Sequence, residues 1–277
     1  MTGWRKQPIG DLPLYQAKTI AWLPRIVQGF STRQGGVSLP PYDALNLGGH
    51  VGDSPEMVAA NRQRLWTDLG VSEGQVALAE QVHGDVVALV TAGTGDTPVS
   101  GADALVTATP GVLLTLFFAD CVPVYFVDPV NKAVGLAHAG WRGAASNVAA
   151  KTLRAMTEQF GSQPASCLAA IGPCIGGDSY EVGAEVADRF RSLPGARGAN
   201  VITPRSEFGG TYSLNLRQVV FGQLLYAGIR AQSIAVCDED TYRNRRDFFS
   251  YRRDGATGRM AAFLGMKELG MRETKPE

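Results

Sequence analysis

The stretch Ala133-Val134-Gly135-Leu136-Ala137-His138-Ala139-Gly140-Trp141-Arg142-Gly143 constrains this chain more than any other. An apolar, β-prone run ends in a histidine, two glycines flank Trp141 and Arg142, and a helix-prone segment follows from Ala144 to about Phe160. A strand that passes through a glycine-rich turn into a helix leaves backbone N–H groups free at the helix start, where an anion or a metal-bound ligand is held. The chain has only three histidines, so one set at such a turn points to chemistry.

Upstream, Ile26 to Phe30 reads as a strand running into the polar loop Ser31 to Ser38, which carries Arg33. The stretch from Pro40 to His50 shows no period, and a loop of this length without structure of its own is commonly functional. Ser54 and Pro55 fit the N-cap and first-turn positions of a helix with Val58, Leu65 and Leu69 on one stripe and Gly70 as its stop. Gln75 to Gln81 and Val86 to Val90 read as paired strands, with His83-Gly84-Asp85 as a tight turn between them. Ala104 to Thr107, Val112 to Phe118 and Val124 to Val127 are further strands; the second is apolar throughout, as expected for burial on both faces.

Past the turn at His138, Ser166 to Ile171 and Ser233 to Cys237 read as strands, Glu181 to Arg191 and Asn215 to Ala227 as helices. Asp247 to Gly255 and the run from Gly258 form the arms of an expected terminal hairpin, and a charged tail follows Gly270. Strands outnumber helices without alternating strictly with them. The expected fold is therefore α+β: a single-domain layered α/β sandwich with mixed sheets, spanning 1–277 with its core at about 26–266.

Charge and cysteines narrow the function. With 26 basic and 26 acidic residues the formal net charge is zero, which argues against a nucleic-acid face. No apolar run approaches the roughly 18 residues of a membrane span, and the start of the chain lacks a signal-peptide core. The four cysteines form no CxxC pair and read as thiols. A cytoplasmic protein is expected.

Three expected strand ends each deliver a metal-competent side chain: His83, Cys121 and His138. Imidazole and thiolate suit zinc, and three protein ligands leave a fourth tetrahedral position open, the mark of a catalytic site. The residues alone leave open a second reading, in which the histidines are hydrogen-bonded turn residues and Cys121 a small buried hydrophobe. Copper is disfavoured. A blue-copper centre wants an axial Met, and a laccase-type cluster wants many histidines where only His50 remains.

The blocks Ser31 to Ser38, Asn46-Leu47-Gly48, Gln81-Val82-His83-Gly84, Ala119-Asp120-Cys121-Val122-Pro123, His138 to Gly143, Gly172-Pro173-Cys174-Ile175-Gly176 and Phe249 to Gly255 resemble, in order, the successive motifs of the YfiH family. That family is also called laccase-domain or polyphenol-oxidase-like, and the peptidoglycan editing factors belong to it. The resemblance implies a single α/β-sandwich domain with zinc on His83, Cys121 and His138. It further implies phosphorolysis of adenosine, guanosine, inosine or methylthioadenosine, with hydrolytic deamination of adenosine. Purine nucleoside and phosphate would be the partners.

Deamination needs a metal-activated water and an acid–base group, for which Asp120 beside Cys121 is the candidate. Phosphorolysis needs cations near phosphate, which Arg33 and Arg142 could supply. Asn46 and Cys174 are expected on the substrate side. The alternative within the family is an amidase-type hydrolase that edits a peptidoglycan precursor; outside enzymes, a zinc-stabilised partner protein.

Overall fold

The run Leu113–Phe118 is buried at every position and serves two layers at once. In the computed structural model, which describes residues 3–193, 201–205 and 210–268, Leu114, Leu116 and Phe118 face one core and Leu113 and Phe117 another. This is the two-residue alternation of a strand with no solvent-facing side. The strand lies in a six-stranded sheet whose order is Trp4–Ile9, Leu12–Ala17, Ile26–Ser31, Met260–Met266, Leu113–Phe118, Val76–Leu78. A second six-stranded sheet runs Ile234–Val236, Leu168–Ile171, Val122–Asp128, Ala133–Ala139, Ala104–Thr107, Val87–Leu89. Both are mixed: most pairs are antiparallel, but Val76–Leu78 runs parallel to Leu113–Phe118, Val87–Leu89 to Ala104–Thr107 and Leu168–Ile171 to Ile234–Val236.

The sheets pack face to face through Leu114, Leu116 and Leu264 of the first and Leu105, Tyr125, Val127 and Leu136 of the second. The outer face of the first sheet, with Leu113, Phe117 and Phe263, is covered by Leu65, Trp66 and Leu69 of the helix Pro55–Leu69. The outer face of the second, with Val124, Phe126 and Ala137, is covered by the helices Val148–Phe160 and Leu216–Tyr226. The result is the expected layered α/β sandwich. Each large apolar side chain so buried contributes roughly 1.5–3 kcal/mol. A small sheet, Glu181–Gly183, Thr211–Leu214 and Ile202–Pro204, flanks the second layer. No helix among the described residues is long and apolar enough to cross a membrane.

The helix Pro55–Leu69 begins and ends where its sequence says, with Gly70 left-handed at φ 68°. The Ser54 hydroxyl, however, bonds the Glu56 carboxylate rather than the backbone. Other expectations fail. His83-Gly84-Asp85 is no hairpin turn, because Val76–Leu78 joins the first sheet and Val87–Leu89 the second, each parallel to its neighbour. The segment between them crosses from one sheet to the other.

The helix after His138 is two helices, Trp141–Ala145 and Val148–Phe160, broken where Asn147 takes a left-handed φ of 60°, a conformation asparagine tolerates well. The C-terminal hairpin is also absent. Tyr251–Asp254 is a helical turn capped by Ser250, whose Oγ accepts from Arg253 N, and only Met260–Met266 is a strand. Glu181–Gly183 is a strand, so the helix that follows starts at Ala184. The tail after Gly270 lies outside the described residues.

Candidate metal centre

Two crossovers and one strand end meet at one edge of the sandwich. The chain leaves the first sheet at Phe118 and enters the second at Val122, so Cys121 sits in the passage. His83 lies in the other passage, between Leu78 and Val87. His138 is the penultimate residue of Ala133–Ala139 and only 3% exposed. The donor atoms of His83, Cys121 and His138 all lie within 4.8 Å of one another.

Unusual backbone marks the same place. Gln81, His83 and Asp120 have φ of 59°, 60° and 95°, conformations that persist only where surrounding bonds over-determine them. Those bonds are present. The Gln81 side chain pairs both ways with the backbone of Phe117, at 2.8 and 2.7 Å, tying one crossover to the strand that feeds the other.

Asp103, fully buried, accepts from His83 N at 3.0 Å and Gly84 N at 2.6 Å. Its Oδ1 also accepts from His138 Nδ1 at 2.9 Å, and its carbonyl from His138 N at 2.8 Å. With Nδ1 so engaged, Nε2 is the His138 nitrogen left for a metal. The imidazoles of His83 and His138 meet edge to face at 4.9 Å.

Electrostatics agree. Burial pushes the Cys121 thiol up, but His138 and His83 more than offset it and hold it at about 6. Burial pushes His138 down, yet the charge on Cys121 and the bond His138 donates to Asp103 raise it to about 9. Burial would raise Asp103 too; the His138 bond and the two N–H donors outweigh it and leave its carboxyl below the usual range. The pair is thiolate and imidazolium, a donor set in which a divalent cation could take the place of the proton.

Gly140 keeps the space for one. A Cβ there would stand 3.0 Å from His83 Cδ2 and 3.1 Å from Cys121 Sγ. Two imidazoles, a thiolate and a clear flank fit a borderline-soft metal. The trio opens on a cavity of about 520 Å³, lined also by His50, Tyr180, Arg252 and Arg259.

Residues 27–267 match the family model described as multi-copper polyphenol oxidoreductase laccase. The chain is 44% identical to a purine nucleoside phosphorylase of Streptomyces coelicolor over 85% of its length and 93% of that protein's. It is 42% identical to purine nucleoside phosphorylase YfiH of Escherichia coli, over 84% of this chain and 91% of the relative. Among solved structures, YfiH of Bacillus licheniformis superposes with a TM-score of 0.90 at 37% identity, covering 96% of this chain and all of that one. YlmD of Geobacillus stearothermophilus superposes with a TM-score of 0.89 at 38% identity, covering 97% and 100%. The chain belongs to the YfiH family.

The remaining expected residues of this YfiH-family site fall unevenly around the cavity. Arg142 lines it, exposed and stacked over the Trp141 ring at 4.4 Å. Asp120 lines it too, but its Oδ1 accepts from Thr241 Oγ1 at 2.7 Å and its Oδ2 from Ser250 Oγ at 3.0 Å and Arg252 N at 2.7 Å. Those bonds tie the Cys121 loop to the chain around Thr241 and Ser250, while burial pushes the Asp120 carboxyl above the usual range. Arg33 is not in the lining. Its guanidinium donates twice to the Asp43 carbonyl, pairs with the Asp43 carboxylate at 3.2 Å and lies 4.5 Å from the Phe249 ring centre, closing its own loop.

Asn46 is fully buried and joins Asp53 to the backbone of Arg259, so it supports the wall without reaching the cavity. Cys174 is likewise fully buried, with its thiol pushed up by burial; its neighbour Ile175 reaches the cavity instead. Sequence reasoning missed Asp103, Tyr180, Arg252 and Arg259. Asp103 did leave a signal, being the lone charge in Ala102-Asp103-Ala104-Leu105-Val106. Arg252 stood inside a quoted block without being singled out.

Proposed function

We propose that this chain is a cytoplasmic, single-domain, zinc-dependent purine nucleoside phosphorylase that also deaminates adenosine. The observation that carries the proposal is the convergence of His83, Cys121 and His138 donors within 4.8 Å on a cavity that also holds Arg142, Arg252 and Arg259. Relatives named purine nucleoside phosphorylase, at 42–44% identity, supply the substrate class.

His83, Cys121 and His138 would hold zinc, with Asp103 orienting His138 through Nδ1. Zinc, when bound, supplies Lewis acidity at that corner of the cavity. Tyr180 and Trp141 line the same space and give it apolar surface for a purine. In phosphorolysis a phosphate oxygen bonds to C1′ of the ribose while the bond to the base nitrogen breaks, and the proton that hydrogen phosphate brings ends on the departing base. The cations of the cavity neutralise the incoming anion and hold it in line. In deamination water adds at C6 of adenosine and the C6–N bond breaks to release ammonia; this reaction needs no anion.

The test is purified protein of known metal content, given adenosine or inosine with and without phosphate, its products separated by chromatography. The expected result is hypoxanthine and ribose 1-phosphate from inosine only when phosphate is present, inosine from adenosine without it, and about one zinc per chain. Absence of any free base under these conditions would sink the phosphorylase reading.

A further inference from the structure

Arg142, Arg252 and Arg259 line the metal cavity together. Among the described residues none of the three has a carboxylate within ion-pairing distance, whereas Arg33, Arg62 and Arg253 are paired with Asp43, Asp96 and Asp254 at 3.2, 2.9 and 2.7 Å. Asp120 also lines the cavity, but its oxygens are taken by Thr241, Ser250 and the Arg252 backbone, so the three guanidiniums face one space without a salt-bridge partner, and their mutual repulsion needs something to offset it.

Their bracing says what they are arranged for. Arg259 is half-buried, and its backbone is fixed on both sides: its N–H donates to Asn46 Oδ1 at 2.8 Å and its carbonyl accepts from Leu47 N at 3.0 Å. One terminal nitrogen donates to the carbonyls of Thr257 and Gly258, at 2.8 and 3.1 Å. Gly48 leaves room for its stem, since a Cβ at that position would stand 2.7 Å from Arg259 Cγ. Burial pushes the guanidinium pKa down, and the Cys121 and Asp120 charges only partly oppose this. The charge is thus desolvated next to the metal trio.

Arg252 has its backbone N on Asp120 and one guanidinium nitrogen on the Glu181 carbonyl, with the guanidinium 4.6 Å from the Tyr180 ring centre. Arg142 rests on Trp141. A guanidinium carries five donors, and carbonyls and rings occupy only part of each while leaving the positive charge uncompensated. Planar donors with unspent N–H groups match a tetrahedral oxyanion.

We infer that Arg259, Arg252 and Arg142 form the phosphate subsite, with Arg259 its anchor and the buried Asn46 a positioning residue behind it. The inference rests on the phosphorylase reading and replaces Arg33, which Asp43 already satisfies, as the source of the phosphate cation. It commits to inorganic phosphate rather than to the 5′-phosphate of a nucleotide.

The experiment compares wild type, Arg259→Gln, Arg252→Gln and, as a control from the neighbouring groove, Arg62→Gln. Each is tested for inosine phosphorolysis at varied phosphate, for adenosine deamination without phosphate, and for direct binding of inorganic phosphate and of AMP by calorimetry, after thermal unfolding confirms the fold. Losing one charge-assisted phosphate contact should raise the phosphate KM about tenfold to hundredfold in Arg259→Gln. The nucleoside KM and the deamination rate should stay within about threefold of wild type.

Arg252→Gln, whose side chain is exposed, should show the same split to a smaller degree and carries the test if Arg259→Gln does not fold. An unchanged phosphate KM, equal losses in both reactions, or a wild type that binds AMP but not inorganic phosphate would overturn the assignment. If wild type binds inorganic phosphate, loses it in Arg259→Gln and yet releases no base from any nucleoside, the oxyanion site stands and the phosphorylase reading fails.

Discussion

Two cavities meet at His50, Gln81 and Phe117, and they treat charge in opposite ways. The larger, about 850 Å³, runs along the helix Pro55–Leu69. Its arginine, Arg62, pairs with Asp96 at 2.9 Å, donates to the Leu47 carbonyl and lies 4.9 Å from the Phe117 ring centre. The smaller, about 520 Å³, holds three arginines that pair with no carboxylate among the described residues, next to two imidazoles and a thiolate whose donors converge. Volume alone would favour the first. Uncompensated charge beside converging donors marks the second, because such an arrangement costs folding energy that only a ligand recovers.

The sharpest way to break this contrast is to remove the thiolate. Cys121→Ala should abolish metal binding and bring both reactions to background, while Arg62→Gln stays within about twofold of wild-type activity. Cooperative thermal unfolding should survive in Cys121→Ala, since the cores lie in the sheets and helices around the site. A variant that no longer unfolds cooperatively would make the metal a structural staple.

A milder intervention leaves every ligand in place. Asp103→Asn removes the charge behind His138, and Gly140→Ala pushes a methyl against His83 and Cys121. Metal affinity, read by competition with a chromogenic chelator, should fall about 10- to 100-fold in Asp103→Asn. Gly140→Ala should weaken it as well, without loss of fold. Unchanged affinity in both would mean that the cluster is not the metal site.

Proton release gives a smaller signal with a defined sign. At pH 7.5 the metal-free pair is a Cys121 thiolate, held at about 6, and a His138 imidazolium, raised to about 9. Only His138 must then lose a proton to become a ligand, so metal uptake should release about one proton per chain. As pH falls through about 6 the release should rise, because Cys121 then binds a proton that the metal must displace, and as pH rises through about 9 the His138 share should vanish. In the metal-free protein the Cys121 contribution to stability is lost as pH falls through about 6, and that of His138 as pH rises through about 9. A dye-based titration of metal-free protein with zinc reads the proton count.

The smallest effect belongs to the larger groove. Arg62→Gln should cost under about 2 kcal/mol in thermal unfolding, because its partner Asp96 is 71% exposed and such pairs are worth little. A greater loss, or a lost reaction, would show that the two cavities work as one.

Much of this was legible before the structure, where the signal is local. Pro55 and Gly70 bound a helix through first-turn and left-handed C-cap preferences, both of them one-residue effects. An unbroken apolar run such as Leu113–Phe118 reads as a strand buried on both sides. His83, Cys121 and His138 stood out by residue type, at strand ends and turns. Tertiary structure alone decided the rest. Whether Val87–Leu89 pairs back on Val76–Leu78 or joins another sheet depends on which neighbour offers its backbone, and no residue in the turn encodes that. Arg33 and Arg259 each lie within two residues of a glycine and look alike as sequence. They differ because Asp43 reaches one and no described carboxylate pairs with the other, and charge compensation is a property of distances in space.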